Sequence, residues 1–273
     1  MAGRGGIHSG FQVHYAHQME LSDAYMQALA YLEGFAGLFL AISANSYDPT
    51  TEIHSLRAPE FNMLWTHKLT AWNSVDDFIK STWRGIKRKV MSGPWDFHRL
   101  VKICQGSTEF RICDSMSDVM DAAMVQAMII ALMRQTFDRV RAGETLPIIL
   151  DKETRTEELE LSFNFAARSG ISDFGIKMPS PFAGGEMRPI GEQLNQLADM
   201  LEPTMREDGT LPELAQFRQR IIEERSNGAT RQASWWRKHQ DGATVILADR
   251  RHFQMSLEKA QQFVEQHKVR TAA

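Results

Sequence analysis

The segment that most constrains the fold is an apolar run in the middle of the chain, residues 119–133. Placed on a helix, this run is apolar nearly all the way round, and helical periodicity continues to residue 141 before Gly143 ends it. A helix without a polar face has to be surrounded by other parts of the protein. The methionines that recur every four residues there fill gaps in cores. The segment therefore predicts a buried central helix.

Helical periodicity recurs along most of the chain, whereas strand-like alternation is almost absent. Stop signals and caps place further helices at residues 22–43, 74–91, 95–105, 156–168, 192–201, 212–225, 231–239 and 256–267. The pattern predicts an all-α fold, a helical bundle with two helical lobes and flexible terminal arms.

The spacing of these helices predicts four regions. Residues 1–18 form an N-terminal arm, and residues 19–143 form an N-terminal helical lobe with a basic face. Residues 144–190 form a connector, made of a helix and a long loop rich in Gly, Pro and Ser. Residues 191–273 form a C-terminal helical lobe and tail. A loop as long as the one in the connector is usually functional or mobile.

The location of the protein is predicted from what the sequence does not contain. Two cysteines are too few for a disulfide framework, and no secretory signal opens the chain. The most apolar segment, residues 28–44, contains Glu33 and two glycines and is shorter than the roughly 20 residues that span a membrane. We therefore expect no transmembrane segment and a cytoplasmic location.

Positive charge is concentrated in residues 80–111, where eight Lys and Arg face two acids in a chain of net charge −3. On the predicted helix 74–91, an apolar arc that includes Phe78 and Trp83 lies opposite the cations, and the helix 95–105 divides in the same way. Such a patch is typical of phosphate binding, although an ordinary solvated helix face is the alternative.

A second cluster, residues 231–239, places cations beside Trp235 and Trp236. Aromatic rings and cations together hold single-stranded nucleic acid, although at least one of two adjacent tryptophans would be expected in the core. The predicted contacts to RNA or another polyanion are Lys80, Arg84, Lys87, Arg88, Arg99, Lys102, Arg237 and Lys238.

No catalytic motif stands out in the sequence: it contains no G-x-S-x-G, Walker loop, H-E-x-x-H or paired C-x-x-C. His14 and His17, like Asp249 and His252, have the spacing of metal ligands on one helical face, but the two pairs lie near opposite ends of the chain. We therefore predict no metal site, no cofactor and no enzymatic activity.

Together these features predict a self-assembling structural protein, a homo-oligomer that binds RNA without sequence preference. A nucleocapsid- or coat-like protein, located in the virion if viral, fits this description. One alternative is a matrix-like protein that assembles at a membrane surface through peripheral contact with anionic lipid. The other is a helical enzyme with no readable motif.

Overall fold

A computed structural model describes residues 10–17, 19–55, 72–89, 101–104, 106–149 and 151–271. The helices in these ranges are α1 (Asp23–Gly34), α2 (Ala36–Ser43), α3 (Val75–Lys87), α4 (Val119–Arg141), α5 (Lys152–Ser169), α6 (Ile190–Glu207), α7 (Leu211–Phe217), α8 (Gly228–His239) and α9 (Gly242–Thr271). A π-helix, Arg218–Glu223, continues α7. The strands are β1 (Gly10–Ala16), β2 (Val101–Cys104), β3 (Ser107–Asp114), β4 (Lys177–Pro179) and β5 (Met187–Pro189).

The fold is mixed α and β, so the prediction of an all-α bundle is wrong. β1, β3 and β2 form an antiparallel sheet in that order, and β4 pairs with β5 in a two-stranded sheet. β1 lies in the predicted flexible arm, β2 replaces the end of the predicted helix 95–105, and β4 and β5 lie in the predicted long loop. Short strands are hard to recognise from the alternation of apolar and polar residues, because a strand of four to eight residues contains few repeats of that pattern.

The central helix is confirmed as α4. Its core face includes Met124, Met128 and Phe137, all fully buried. Asp118 caps its N-terminus by accepting from the backbone N–H groups of Met120 and Asp121. One core cluster contains these residues together with side chains from β1 to the π-helix. The division into arms, lobes and connector stays a prediction.

The predicted helix 22–43 is two helices, α1 and α2, which meet at Phe35. α2 is buried at every position and packs closely on α5. A Cβ added at Gly37 would lie 2.7 Å from the Cβ of Ser162, so only glycine permits this approach. No single helix in the described ranges is both long enough and apolar enough to span a membrane. α1 and α2 together reach that length and hydropathy, but the pair is bent by 41°.

The predicted apolar arc of α3 is largely exposed. Phe78 is buried against Trp72, with ring centroids 4.8 Å apart, but Trp83 is 68% exposed. Helical periodicity placed these residues on one face correctly, yet it could not show whether that face meets the core.

Asp114, at the end of β3, is a buried carboxylate that joins distant segments. It accepts hydrogen bonds from the backbone N–H of Asn45 and from the hydroxyls of Ser46 and Ser55, each at 3.0 Å. A buried carboxylate needs such donors to replace its lost hydration. These bonds fix the segment after α2 against the sheet.

Candidate active site on the open face of the sheet

The three-stranded sheet has one face on the core and one face that presents polar groups. Side chains alternate along a strand, so Val13, Val101 and Phe110 are buried on the core side. On the opposite side the register places His14 of β1 and Lys102 of β2 on either side of Glu109 of β3. We call this second side the Glu109 face.

Glu109 is the central group of that face and is only 5% exposed. Its Oε1 lies 3.1 Å from Nε of Arg111, and its Oε2 accepts a hydrogen bond from Sγ of Cys104 at 3.4 Å. A buried carboxylate is costly unless charge or hydrogen bonds compensate it. Arg111, Cys104 and the neighbouring Lys102 provide that compensation.

Cys104 is a protonated thiol at neutral pH. Burial raises the pKa of this thiol, and the hydrogen bond to Glu109 and the negative charge of Glu109 raise it further against the opposing charges of Lys102 and Arg111. A thiolate beside a carboxylate would be repelled, so the proton is held between the two groups.

The Glu109 face also has the groups to hold a cation. The ligand atoms of His14, Cys104 and Glu109 all lie within 4.8 Å of one another. Imidazole, thiol and carboxylate together suit a divalent transition metal better than they suit Mg²⁺, which prefers oxygen. Binding through sulfur requires the Cys104 proton to leave, so it would be weaker at low pH.

The helical spacing noted for His14 and His17 does not describe this site, because His14 lies on β1 and His17 follows that strand. His14 lies on the Glu109 face, whereas the Nε2 atom of His17 is 2.9 Å from Oγ1 of Thr108 and 3.2 Å from the Tyr25 hydroxyl. Burial, with the positive charge of Arg141, lowers the pKa of His17. Burial raises the pKa of Tyr25 to about 12.

The structure disperses the cations that were predicted to bind polyanion. Lys80, Arg84, Lys87 and Arg88 are exposed on α3 and its end, and Arg237 and Lys238 are exposed in the last turn of α8. Lys80 pairs with Asp76 at 2.5 Å. Arg99 lies outside the described residues. Of the seven cations within the described ranges, Lys102 alone is placed on the Glu109 face. Whether the others contact polyanion stays a prediction.

Sequence reasoning missed Glu109 and Arg111. The signal was present, because Glu109 and Arg111 alternate with Phe110 and Ile112, the period of a half-buried strand. The charges of Glu109 and Arg111 were instead interpreted as part of the basic patch at residues 80–111.

Comparison with known proteins matches residues 4–250 to the family "Glutamate-cysteine ligase family 2 (GCS2)". A relative from Nocardioides sp. (strain ATCC BAA-499 / JS614), named "Putative glutamate--cysteine ligase 2-3", is 28% identical over 235 residues. The alignment covers 79% of this chain and 60% of the relative, so the chain spans well under two thirds of that protein's length.

The family match overturns the predicted function. The match is to a family of ligases, so the predictions of a structural RNA-binding protein and of a chain that is not an enzyme are wrong. The match also overturns the predictions that depended on these two: the nucleocapsid- or coat-like assembly, the RNA partner, the homo-oligomer, the membrane-surface alternative and the virion location. The alternative of an enzyme without a readable motif is the better supported one. The chain belongs to glutamate–cysteine ligase family 2.

Proposed function

We propose that the Glu109 face binds the reacting groups of a ligase that joins two amino acids, of the kind that the family name describes. The observation that carries the proposal is the buried Glu109 carboxylate, with Arg111, Cys104, His14 and Lys102 around it on one face of a sheet. Buried charged groups that converge on the exposed face of a rigid element are typical of active sites.

The charges of these side chains are complementary to those of the two reactants. Transfer of a phosphoryl group from a nucleoside triphosphate to a carboxylate would activate its carbon; the amine nitrogen then bonds to that carbon and loses a proton, and the carbon–oxygen bond to phosphate breaks. Negative charge develops on the carboxyl and phosphoryl oxygens, and fixed cations stabilise such charge. Arg111 and Lys102 are the cations beside Glu109. Glu109 supplies the complementary negative charge for an ammonium group or for a metal ion shared with His14 and Cys104. A metal ion there would bring a Lewis acid to the reacting oxygens.

The test separates binding from overall activity. Titration calorimetry with Mn²⁺ and with L-glutamate measures binding, and mass spectrometry measures the product formed from glutamate and cysteine with a nucleoside triphosphate. We expect Glu109→Gln to remove Mn²⁺ binding and product formation, and Lys102→Met to weaken glutamate binding about tenfold.

Glu144→Gln is the matched control, because Glu144 is exposed and pairs with Arg139, and neither residue contacts Glu109 among the described contacts. It should bind both probes as the unaltered chain does. Equal Mn²⁺ and glutamate binding by Glu109→Gln and the unaltered chain, with both folded by circular dichroism, would contradict the proposal.

A further inference from the structure

A cavity lies away from the three-stranded sheet, between the start of α4, the π-helix and α9. Its volume is about 560 Å³, within the range of small-molecule sites. It shares no residue with the Glu109 face. The wide turn of a π-helix is rare and frequently marks a functional site.

Arg220 of the π-helix lies in the wall of this cavity and is held by two buried carboxylates. Its Nη1 atom lies 2.8 Å from Oδ2 of Asp118 and 2.5 Å from Oδ1 of Asp121, and these acids are 2% and 3% exposed. Arg231 at 3.0 Å from Asp121 balances the second charge. In the described ranges, only Nη1 of Arg220 donates a hydrogen bond, which leaves Nε and Nη2 available.

More donors surround the same space. Lys259 of α9 lines the cavity and is exposed, with no salt bridge to any described residue. Gln216 also lines it, and its buried Nε2 atom has no acceptor among the described residues. Glu224 also lines the cavity: it accepts a hydrogen bond from Gln219 at 3.0 Å, its negative charge acts on Arg220, and it forms no salt bridge with any described residue.

We propose that this cavity binds a small organic anion through a carboxylate or phosphate group. An arginine side chain that two carboxylates already hold in place loses little further conformational freedom when it binds an anion. Its two remaining nitrogens can donate hydrogen bonds to a pair of anionic oxygens. Lys259 of α9 lines the same cavity. Asp118 and Asp121 repel the anion little, because the positive charges of Arg220 and Arg231 offset them.

Binding there would also strengthen the docking of α9. Three successive residues at the start of α4 contact one face of that helix: Ser117 donates to Asp249 at 2.7 Å, Asp118 contacts His252 at 2.6 Å, and the N–H of Val119 donates to Ser256 at 3.1 Å. An anion held by both Arg220 and Lys259 adds a link between the π-helix and α9. A ligand that binds only the folded state raises the melting temperature.

The experiment uses the full chain carrying Lys102→Met, so that the Glu109 face contributes little anion binding. Succinate and inorganic phosphate are titrated separately by calorimetry, which distinguishes a carboxylate from a phosphate ligand. We expect at least one probe to bind, Lys259→Ala to weaken it about five- to tenfold, and Glu224→Gln to leave it equal or tighter.

Lys238→Ala is the matched control, because Lys238 is also an exposed lysine but lies on α8 and does not line the cavity. It should bind as the parent does. Arg220 is left intact, because its loss would leave two buried carboxylates short of a partner and unfold the region. Failure of both probes to bind, or equal weakening by Lys259→Ala and Lys238→Ala, would overturn the proposal.

Discussion

The Oε1 atom of Glu109 lies 3.1 Å from Nε of Arg111, two residues further along the same strand. This spacing directs both side chains to one face of the sheet. The guanidinium of Arg111 therefore offsets part of the cost of burying the carboxylate of Glu109. The pair defines the centre of the Glu109 face, and the cavity beside Arg220 lies apart from it.

The buried carboxylate of Asp114 is expected to contribute strongly to stability. Asp114→Ala should lower the free energy of unfolding by about 2–4 kcal/mol, because three donors lose their acceptor at once. Urea denaturation followed by circular dichroism measures the change. Asp48→Ala, which removes an exposed turn contact to Thr51, should cost under about 1 kcal/mol. Equal effects of the two variants would contradict the prediction.

The close approach of α2 to α5 predicts a steric effect at Gly37. Gly37→Ala should destabilise the protein by about 1–3 kcal/mol, because the new methyl group would lie 2.7 Å from Ser162. Thermal unfolding measures this change. Gly242→Ala is the control, since nothing lies within 4 Å of a Cβ added there. A melting temperature of Gly37→Ala at or above that of the control would show that the helices separate without cost.

The contact between Cys104 and Glu109 predicts slow alkylation of the thiol. Because Glu109 is one cause of the raised thiol pKa, Glu109→Gln should lower that pKa toward its usual value and speed alkylation at pH 8 by about two- to tenfold. Iodoacetamide labelling followed by mass spectrometry measures the rate at each cysteine. Cys113 is fully buried and should stay unlabelled in both proteins. An unchanged rate at Cys104 would show that burial alone protects the thiol.

The raised pKa of Tyr25 predicts that the protein loses stability at high pH. Its pKa is about 12 when folded and about 10 when unfolded, so the unfolded chain releases this proton first. The free energy of unfolding should therefore fall as pH rises from 10 toward 12, by about 2–3 kcal/mol from this group. Urea denaturation across that pH range measures it, and Tyr25→Phe should flatten the fall. A slope unchanged in Tyr25→Phe would assign the loss to other groups.

Local sequence patterns determined where α4 and the start of α3 lie. The all-round apolar run fixed α4, and Ser74 caps α3 by accepting from the N–H of Asp77, because both signals depend on residues a few positions apart. The same patterns did not reveal that β1 pairs with β3, since that pairing joins residues about 90 to 100 positions apart in sequence.

Tertiary structure alone decided where the charges act. Lys102 was read as one of several cations on a helical face, yet the sheet places it beside Glu109. Two buried aspartates hold Arg220 at a cavity wall, a position that no local sequence pattern indicates. The sequence determined which residues carry charge and which segments form helices. The fold determined which charges meet, because an ion pair depends on distance in space and not on separation along the chain.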